Sequence, residues 1–453
     1  MSTAIDYTTF LHNKRFVASA VGKEAGAIHP ALFPFQADLT RWAVRQGRAA
    51  LFADTGLGKT RMQLEWARQT GERTLILAPL GVARQTVGEA VALDIPITYA
   101  RSQDQATDIT ITNYEMAEHF DAAAFGAVVL DESSVLKALD GKTRQRLTVM
   151  FGGTPYRLCC TATPAPNDIS EIANHAEFLG IMTRAEMLAA FFIHDDKGWR
   201  LKGHAPEGFY RWLASWGMSV RFPSDLGYSD VGYILPPLVV EPLWVDSAFT
   251  PDGMLFSTGL RGIQDRTKVR RNTMVDRVAA AAALINASPD QWVAWCGLNQ
   301  EGQALHAAIP GSVLQEGSQQ PEEKQAAIEG FQDVRYRVLV TKPRIAGFGL
   351  NLQHAHRMVF VGLSDSWESY YQCIRRCYRF GQLRPVHVTI ILSRAEEEIY
   401  ENVMRKEAEA MAMREGLMAA VRDFEREQLG VSSAMADYRP GVDMTLPNWL
   451  RTA

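Results

Sequence analysis

At 453 residues the chain is too long for one ordinary core and predicts two domains or three. Its 47% hydrophobic and 22% charged content is that of a globular protein, and a net charge of -4 excludes a globally basic polyanion binder, so any nucleic-acid surface must be a local basic stripe. Cys159, Cys160, Cys296, Cys373 and Cys377 fit neither a disulfide framework nor a zinc-ligand spacing, the start from Met1 to Asp6 does not read as a secretory signal, and no apolar run is long enough to span a membrane; the expected location is cytoplasmic.

In chain order, short apolar runs alternate with helical patterns, which predicts an α/β fold with parallel sheets. The strand expected over Ala49 to Ala53 runs into Ala53-Asp54-Thr55-Gly56-Leu57-Gly58-Lys59-Thr60, and a helix is expected over Thr60 to Gln69. Strand, glycine-rich turn and helix in this order fit a phosphate-binding loop. Small residues let backbone N–H groups surround phosphate oxygens, Lys59 reaches the outer phosphates, Thr60 offers a hydroxyl to Mg²⁺, and the helix N-terminus adds its dipole. Thr55, Gly56, Leu57, Gly58, Lys59 and Thr60 are thus candidate nucleotide-binding residues; Ala53 stands where the usual pattern has its first glycine. Strands are next expected over Thr74 to Ala78, Asp108 to Thr112 and Ala127 to Leu130, the last ending in Asp131-Glu132. An acid pair at that strand end suits Mg²⁺ binding by Asp131, directly or through water, and activation of the attacking water by Glu132. No Asn-Lys-x-Asp guanine-reading motif follows, which argues for ATP.

After a strand over Arg157 to Thr161, the segment from about Thr183 to Asp230 carries Phe191, Phe192, Trp199, Phe209, Tyr210, Trp212, Trp216 and Phe222, and reads as a small helical insertion. Between Lys197 and Arg221 its basic residues outnumber its one acid, Glu207, so the rings either form a small core, the favoured reading, or grip nucleic acid. Pro236-Pro237 marks a linker. The stretch Arg261 to Arg277 is rich in arginine and reads equally as a phosphate-contacting helix or a solvated face. A second set of strands follows over Trp292 to Cys296, Arg337 to Thr341, Met358 to Gly362 and Val386 to Leu392. Helices are expected over Gln303 to Ala308, Glu322 to Phe331 and Glu368 to Tyr378. Glu396 to Phe424, with Ile399, Val403, Leu417, Val421 and Phe424, reads as an amphipathic helix docking back on the body. The expected division is residues 1–235 for the first lobe, 236–430 for the second and 431–453 for a tail.

Together these residues resemble the superfamily-two helicase-like ATPases, and within them the Swi/Snf-type DNA translocases. Gly56-Leu57-Gly58-Lys59-Thr60 resembles the family's loop, and Pro34-Phe35-Gln36 its adenine-reading segment, in which Gln36 would recognise the base. Leu77-Ala78-Pro79-Leu80 and Ile111-Thr112-Asn113-Tyr114-Glu115 resemble its track-facing strand ends, and Thr161-Ala162-Thr163-Pro164-Ala165-Pro166-Asn167 its coupling motif. In the second half, Gly347-Phe348-Gly349-Leu350-Asn351-Leu352 resembles the element that reads the track and senses the nucleotide, which makes Gly349 a further candidate. Gln372-Cys373-Ile374-Arg375-Arg376-Cys377-Tyr378-Arg379-Phe380-Gly381-Gln382 resembles the arginine-finger helix, with Arg376 and Arg379 on one face. Two departures stand out. Ser133-Ser134 follow the acid pair where the family has x-His, and Arg375 replaces a usual glycine, placing an extra arginine against phosphate or solvent.

The resemblance implies two RecA-like lobes with ATP and Mg²⁺ between them, catalysis by Lys59, Glu132, Arg376 and Arg379, metal held by Thr60 and Asp131, and double-stranded DNA as the track. Single-stranded DNA or RNA are the alternative tracks. The compact length is like that of versions from bacteria and bacteriophages. A strand-separating helicase is one alternative, and a nucleotide-gated DNA clamp with little turnover is another.

Overall fold

The computed structural model describes residues 17–137, 142–165, 168–195, 198–246, 270–346, 351–364 and 366–430. Two parallel sheets organise them. In the first half the strands are β1 (Arg48–Ala53), β2 (Thr74–Ala78), β3 (Thr98–Tyr99), β4 (Ile109–Asn113), β5 (Ala127–Asp131), β6 (Tyr156–Cys160), β7 (Phe192–Asp195), β8 (Gly198–Leu201) and β9 (Gly217–Val220). Seven of them pair in the order β3-β4-β2-β5-β6-β1-β9, while β7 and β8 form a separate antiparallel hairpin. The second half carries β10 (Leu238–Val245), β11 (Trp292–Cys296), β12 (Ser312–Leu314), β13 (Val338–Thr341), β14 (Arg357–Val361) and β15 (Val386–Ser393), ordered β10-β15-β14-β11-β13-β12. Each sheet has an apolar cluster on both faces, which is why its central strands are continuous apolar runs rather than alternating ones. Both lobes are α/β units built on a parallel sheet, as the alternation of strands and helices predicts.

The order of the first sheet positions the chemistry. β1 and β5 flank β6, so the loop after β1, the acids at the end of β5 and the segment after β6 emerge at the same, carboxyl edge of the sheet. Parallel α/β sheets bind ligands at that edge, outside the strand ends.

The aromatic segment is not an all-helical insertion. It contains the helices Arg184–Phe191 and Pro206–Ala214, the β7–β8 hairpin, and β9, which completes the first sheet beside β1. Phe191, Phe192, Phe209, Trp212 and Trp216 are buried and pack ring on ring, so the favoured core reading holds for them. Burial of these rings forces the change: Trp216 precedes β9, and its carbonyl accepts from Ala50 N–H at 2.7 Å, drawing the following residues into the sheet.

Arg277 contradicts both readings of the arginine-rich stretch at its own position. It is fully buried in the helix Met274–Asn286 and pairs with Glu301 at 2.9 Å and Glu396 at 3.3 Å, both also buried. A buried guanidinium is tolerated only when paired, and two carboxylates from distant elements supply that here. Residues 261–269 lie outside the described residues.

The closing helix, Glu397–Leu429, belongs to both lobes. Ile399, Val403 and Ala410 pack on the second sheet's cluster, whereas Leu417 and Val421 pack on the first lobe's. Polar contacts fix the second half. Glu425 accepts from Ser219 N–H at 2.6 Å, Arg426 donates to the Asp225 carbonyl at 3.0 Å, Arg221 pairs with Glu415 at 3.0 Å, and the Arg211 guanidinium lies over the Phe424 ring. Two cations of the aromatic segment are thus engaged by this helix. No helix among the described residues is long and apolar enough to cross a membrane.

Candidate functional site at the cleft between the lobes

The loop Asp54 to Gly58 leaves β1 and delivers Lys59 and Thr60 to the first turn of the helix Lys59–Thr70. Its two glycines are required for different reasons. Gly58 has φ +81 and a Cβ there would overlap the Gln36 amide; Gly56 has φ +92 and a Cβ would lie 2.9 Å from Phe380 N of the second lobe. Only glycine meets both demands without strain. Gln36, 2% exposed, donates from Nε2 to the Leu57 carbonyl at 2.9 Å and accepts the Phe33 N–H at 3.0 Å, so its amide clamps the loop from the helix Pro34–Gln46. The Lys59 ammonium donates to the carbonyls of Ala53 at 2.9 Å and Asp54 at 3.3 Å. Burial lowers its pKa, and the nearby Glu132, Asp54 and Asp131 partly restore it.

Asp131 and Glu132 end β5 facing this lysine. Asp131 Oδ1 accepts from Gln63 Nε2 at 2.7 Å and from Glu132 N–H at 3.1 Å. Burial, and next the adjacent Glu132 charge, push Asp131 above the usual carboxylate range. Glu132 has φ +53, unusual for a residue with a side chain, and its buried Oε2 has no hydrogen-bond partner. Strain and an unsatisfied buried carboxylate oxygen on one residue are costs that cluster at reactive sites.

The second lobe supplies the arginines. The helix Trp367–Cys377 ends two residues short of Arg379, so Arg376 and Arg379 do not share a helix face. Arg376 sits in its last turn, and Arg379 lies in the turn beyond. The physical reason is Gln382, whose Nε2 donates to the carbonyls of Gln353, Ala355 and Cys377 at 2.9, 2.9 and 3.2 Å, while Gly381 turns the chain at φ +90. Both arginines nevertheless lie near enough to the first lobe's acids to feel their charge. Arg376, 3% exposed, is held by the Gln372 carbonyl at 3.0 Å and Oε1 at 2.7 Å; burial lowers its pKa and Glu132 is the acid that most offsets this. Arg379 is lowered to about 10 by burial and by the like charge of Arg376, with Glu89 and Glu132 opposing.

A cavity of about 290 Å³ lies against the loop, lined by residues of both lobes that include Asp54, Gly56, Tyr233 and Phe380. Tyr233 and Phe380 line it with ring centroids 4.9 Å apart, and Phe33 packs against these two rings at 6.0 and 6.5 Å.

Two residues of the site escaped sequence reasoning. His175, on the helix Ile172–Leu179, meets Ser133 Oγ at 3.1 Å and packs edge-on to Phe52. It thus ties the segment after the acid pair to the helix that follows the coupling motif, where the missing x-His left a gap. Burial lowers its pKa to about 4, so it is neutral at pH 7. Arg375, read as contacting phosphate or solvent, pairs with Asp54 of the loop at 2.7 Å and lines the cavity beside it. No local signal announces either contact. Gly347 to Leu350, including Gly349, as well as Pro166 and Asn167, lie outside the described residues; Asn351 is half-buried and its carbonyl accepts from Gln332 Nε2 at 2.7 Å.

Residues 304–381 match the helicase conserved C-terminal domain. The chain is similar to the transcriptional regulator ATRX homolog of Drosophila melanogaster, 32% identical over 100 residues, covering 21% of this chain and 8% of that protein. It is also similar to helicase SWR1 of Saccharomyces cerevisiae, 33% identical over 92 residues, covering 20% of this chain and 6% of that one. The matched part of the chain spans less than a tenth of the length of these curated relatives. Among solved structures, the Sulfolobus solfataricus SWI2/SNF2 ATPase core in complex with dsDNA aligns at a TM-score of 0.42 and 18% identity, covering 91% of this chain and 98% of that one. The similarity to the two curated proteins covers about a fifth of the chain, and the match to the helicase C-terminal domain lies in its second half.

Proposed function

We propose that the chain is an ATP-driven motor that hydrolyses ATP between its lobes and moves along intact double-stranded DNA, the lobes dividing at Pro236-Pro237. The observation that carries this reading is the meeting of the phosphate loop of one lobe with the arginine-bearing helix of the other, where Arg375 pairs with Asp54 at 2.7 Å and a Cβ on Gly56 would lie 2.9 Å from Phe380 N, beside the unpartnered Glu132 oxygen. The residues fit Mg²⁺ and ATP: two glycines at positive φ turn the loop where no side chain has room, and the donor set is a lysine, a hydroxyl and two carboxylates. Gln36 borders the adenine side, and Thr55 to Lys59 surround the phosphates. Thr60 and Asp131 would hold Mg²⁺, which when bound neutralises charge on the phosphate oxygens. Glu132 accepts the proton of the attacking water. Arg376 and Arg379 stabilise the charge developing on the transferred phosphoryl group, and because they come from the second lobe, hydrolysis depends on lobe closure. The closing helix, anchored on both lobes, limits how far they separate.

The Swi/Snf-like second lobe favours a duplex track. Contacts to a backbone polyanion are sequence-neutral and release counterions, so they weaken steeply with salt. ATP turnover measured without nucleic acid and with single-stranded DNA, duplex DNA or RNA tests the reading. Duplex DNA is expected to stimulate most, and the stimulation to fall steeply as salt rises. Equal stimulation by RNA would remove the duplex track and leave the ATP-site roles standing.

A further inference from the structure

Asp54 and Arg375 stand 321 residues apart in the chain and meet across the cleft. Three hydrogen bonds close a ring: Arg375 Nη2 donates to Asp54 Oδ2 at 2.7 Å, Arg375 Nε to the Tyr371 hydroxyl at 3.1 Å, and that hydroxyl to Asp54 Oδ1 at 3.0 Å. The guanidinium is stacked against the rings of Tyr371 and Tyr378, at 5.1 and 5.6 Å to their centroids. Both side chains are largely shielded, with Arg375 14% and Asp54 6% exposed. A planar guanidinium held by a carboxylate and stacked between aromatic faces has little freedom left, unlike an exposed ion pair whose side chains wander.

What each partner is attached to gives the contact its meaning. Asp54 lies inside the phosphate loop, where its Oδ1 also accepts the Thr55 N–H at 2.6 Å and so shapes the loop's turn from within. Arg375 directly precedes Arg376, whose buried guanidinium is near enough to Glu132 to feel its charge. The ring therefore joins the loop that would hold the phosphates to the backbone that carries a finger. We propose that Asp54, Tyr371 and Arg375 form an interlobe latch that sets the arginine fingers in register with the phosphate loop. The three are positioning residues for hydrolysis, and none of them acts on the phosphoryl group itself. This rests on the reading of the cleft as an ATP-hydrolysing site.

The latch predicts a specific pattern of kinetic loss. A displacement of the finger by about 1 Å costs on the order of 10²-fold in a positioned reaction, while the groups that bind the ground-state nucleotide stay where they are. In the full chain, Arg375→Ala and Asp54→Asn should each lower kcat by about 10- to 100-fold with the ATP KM changed by less than about threefold. The double variant should be no slower than the worse single one, because both remove the same contact. Arg375→Lys should restore part of the loss, and Tyr371→Phe should lose less than Arg375→Ala. Resonance energy transfer between dyes at Val91→Cys and Val275→Cys, exposed positions on opposite lobes, reads the latch without activity. The closed population should fall in Arg375→Ala, a second-lobe change that leaves the loop sequence intact. Wild-type kcat in Arg375→Ala, losses that multiply in the double variant, or an unchanged closed population would overturn the latch. If the wild-type chain itself failed to hydrolyse ATP, the hydrolysis reading would fall; the closed population would then still decide whether the contact holds the lobes.

Discussion

Glu132→Gln is expected to retain Mg²⁺-dependent ATP binding and to lose turnover by roughly 10²- to 10⁴-fold, the range for removing a general base. Two features of this residue fit the proposed role. Its backbone is in the left-handed region at φ +53, and its buried Oε2 is without a partner. A structural glutamate would satisfy that oxygen; one that takes a proton from water must keep it available. The amide keeps size and shape but cannot accept that proton, and the loop, Lys59 and Asp131 remain. Binding of a fluorescent ATP analogue beside phosphate release separates the two effects. Near-normal turnover would remove Glu132 from catalysis.

Arg376→Ala is expected to reduce kcat by about 10³-fold or more, as for arginine fingers elsewhere, with a modest change in ATP affinity. Arg376 is 3% exposed, is held by two bonds to Gln372, and finds its main compensating charge in Glu132. A buried guanidinium whose opposite charge lies on the other lobe is stabilised only when the lobes meet, which is the requirement for a finger that reports closure. Arg379→Ala should act in the same direction. Its pKa, lowered to about 10 by burial and by Arg376, still leaves it charged at pH 7, so the loss should not depend on pH between 6 and 8. Unchanged kcat with a raised KM would assign Arg376 to ground-state binding instead.

Much of the fold was legible because its strands are buried on both faces. Thr74–Ala78 and Trp292–Cys296 have the bounds that their apolar runs predict, and the other central strands shift by a residue or two. The strands that escaped are short or lie at an edge. β3 and β12 have two and three residues, β9 follows a helix carrying Phe209, Tyr210 and Trp212, and β10 carries Glu241 and Pro242, which weaken a strand pattern yet are tolerated at a sheet edge. The loop and acid pair could be read locally because phosphate chemistry dictates residue types at fixed spacing. The contacts of Arg277, His175 and Arg375 could not, since each partner arrives from a distant element. A run of arginines gives no sign of which member the fold will bury; Glu301 and Glu396 decide that for Arg277. The end of the finger helix depends likewise on Gln382 reaching the carbonyls of Gln353 and Ala355, which are 29 and 27 residues away.

The central claim, movement along an intact duplex powered at the interlobe cleft, is tested most directly by displacement assays run in parallel with the full chain, ATP and Mg²⁺. One substrate is a duplex carrying a third strand in a triplex; the other is a forked duplex. The account predicts ATP-dependent release of the third strand, abolished by Glu132→Gln, and no separation of the forked strands, because two lobes stepping on a duplex backbone travel without prying it open. Efficient unwinding of the fork, or no release of the third strand while ATP is being hydrolysed, would contradict it.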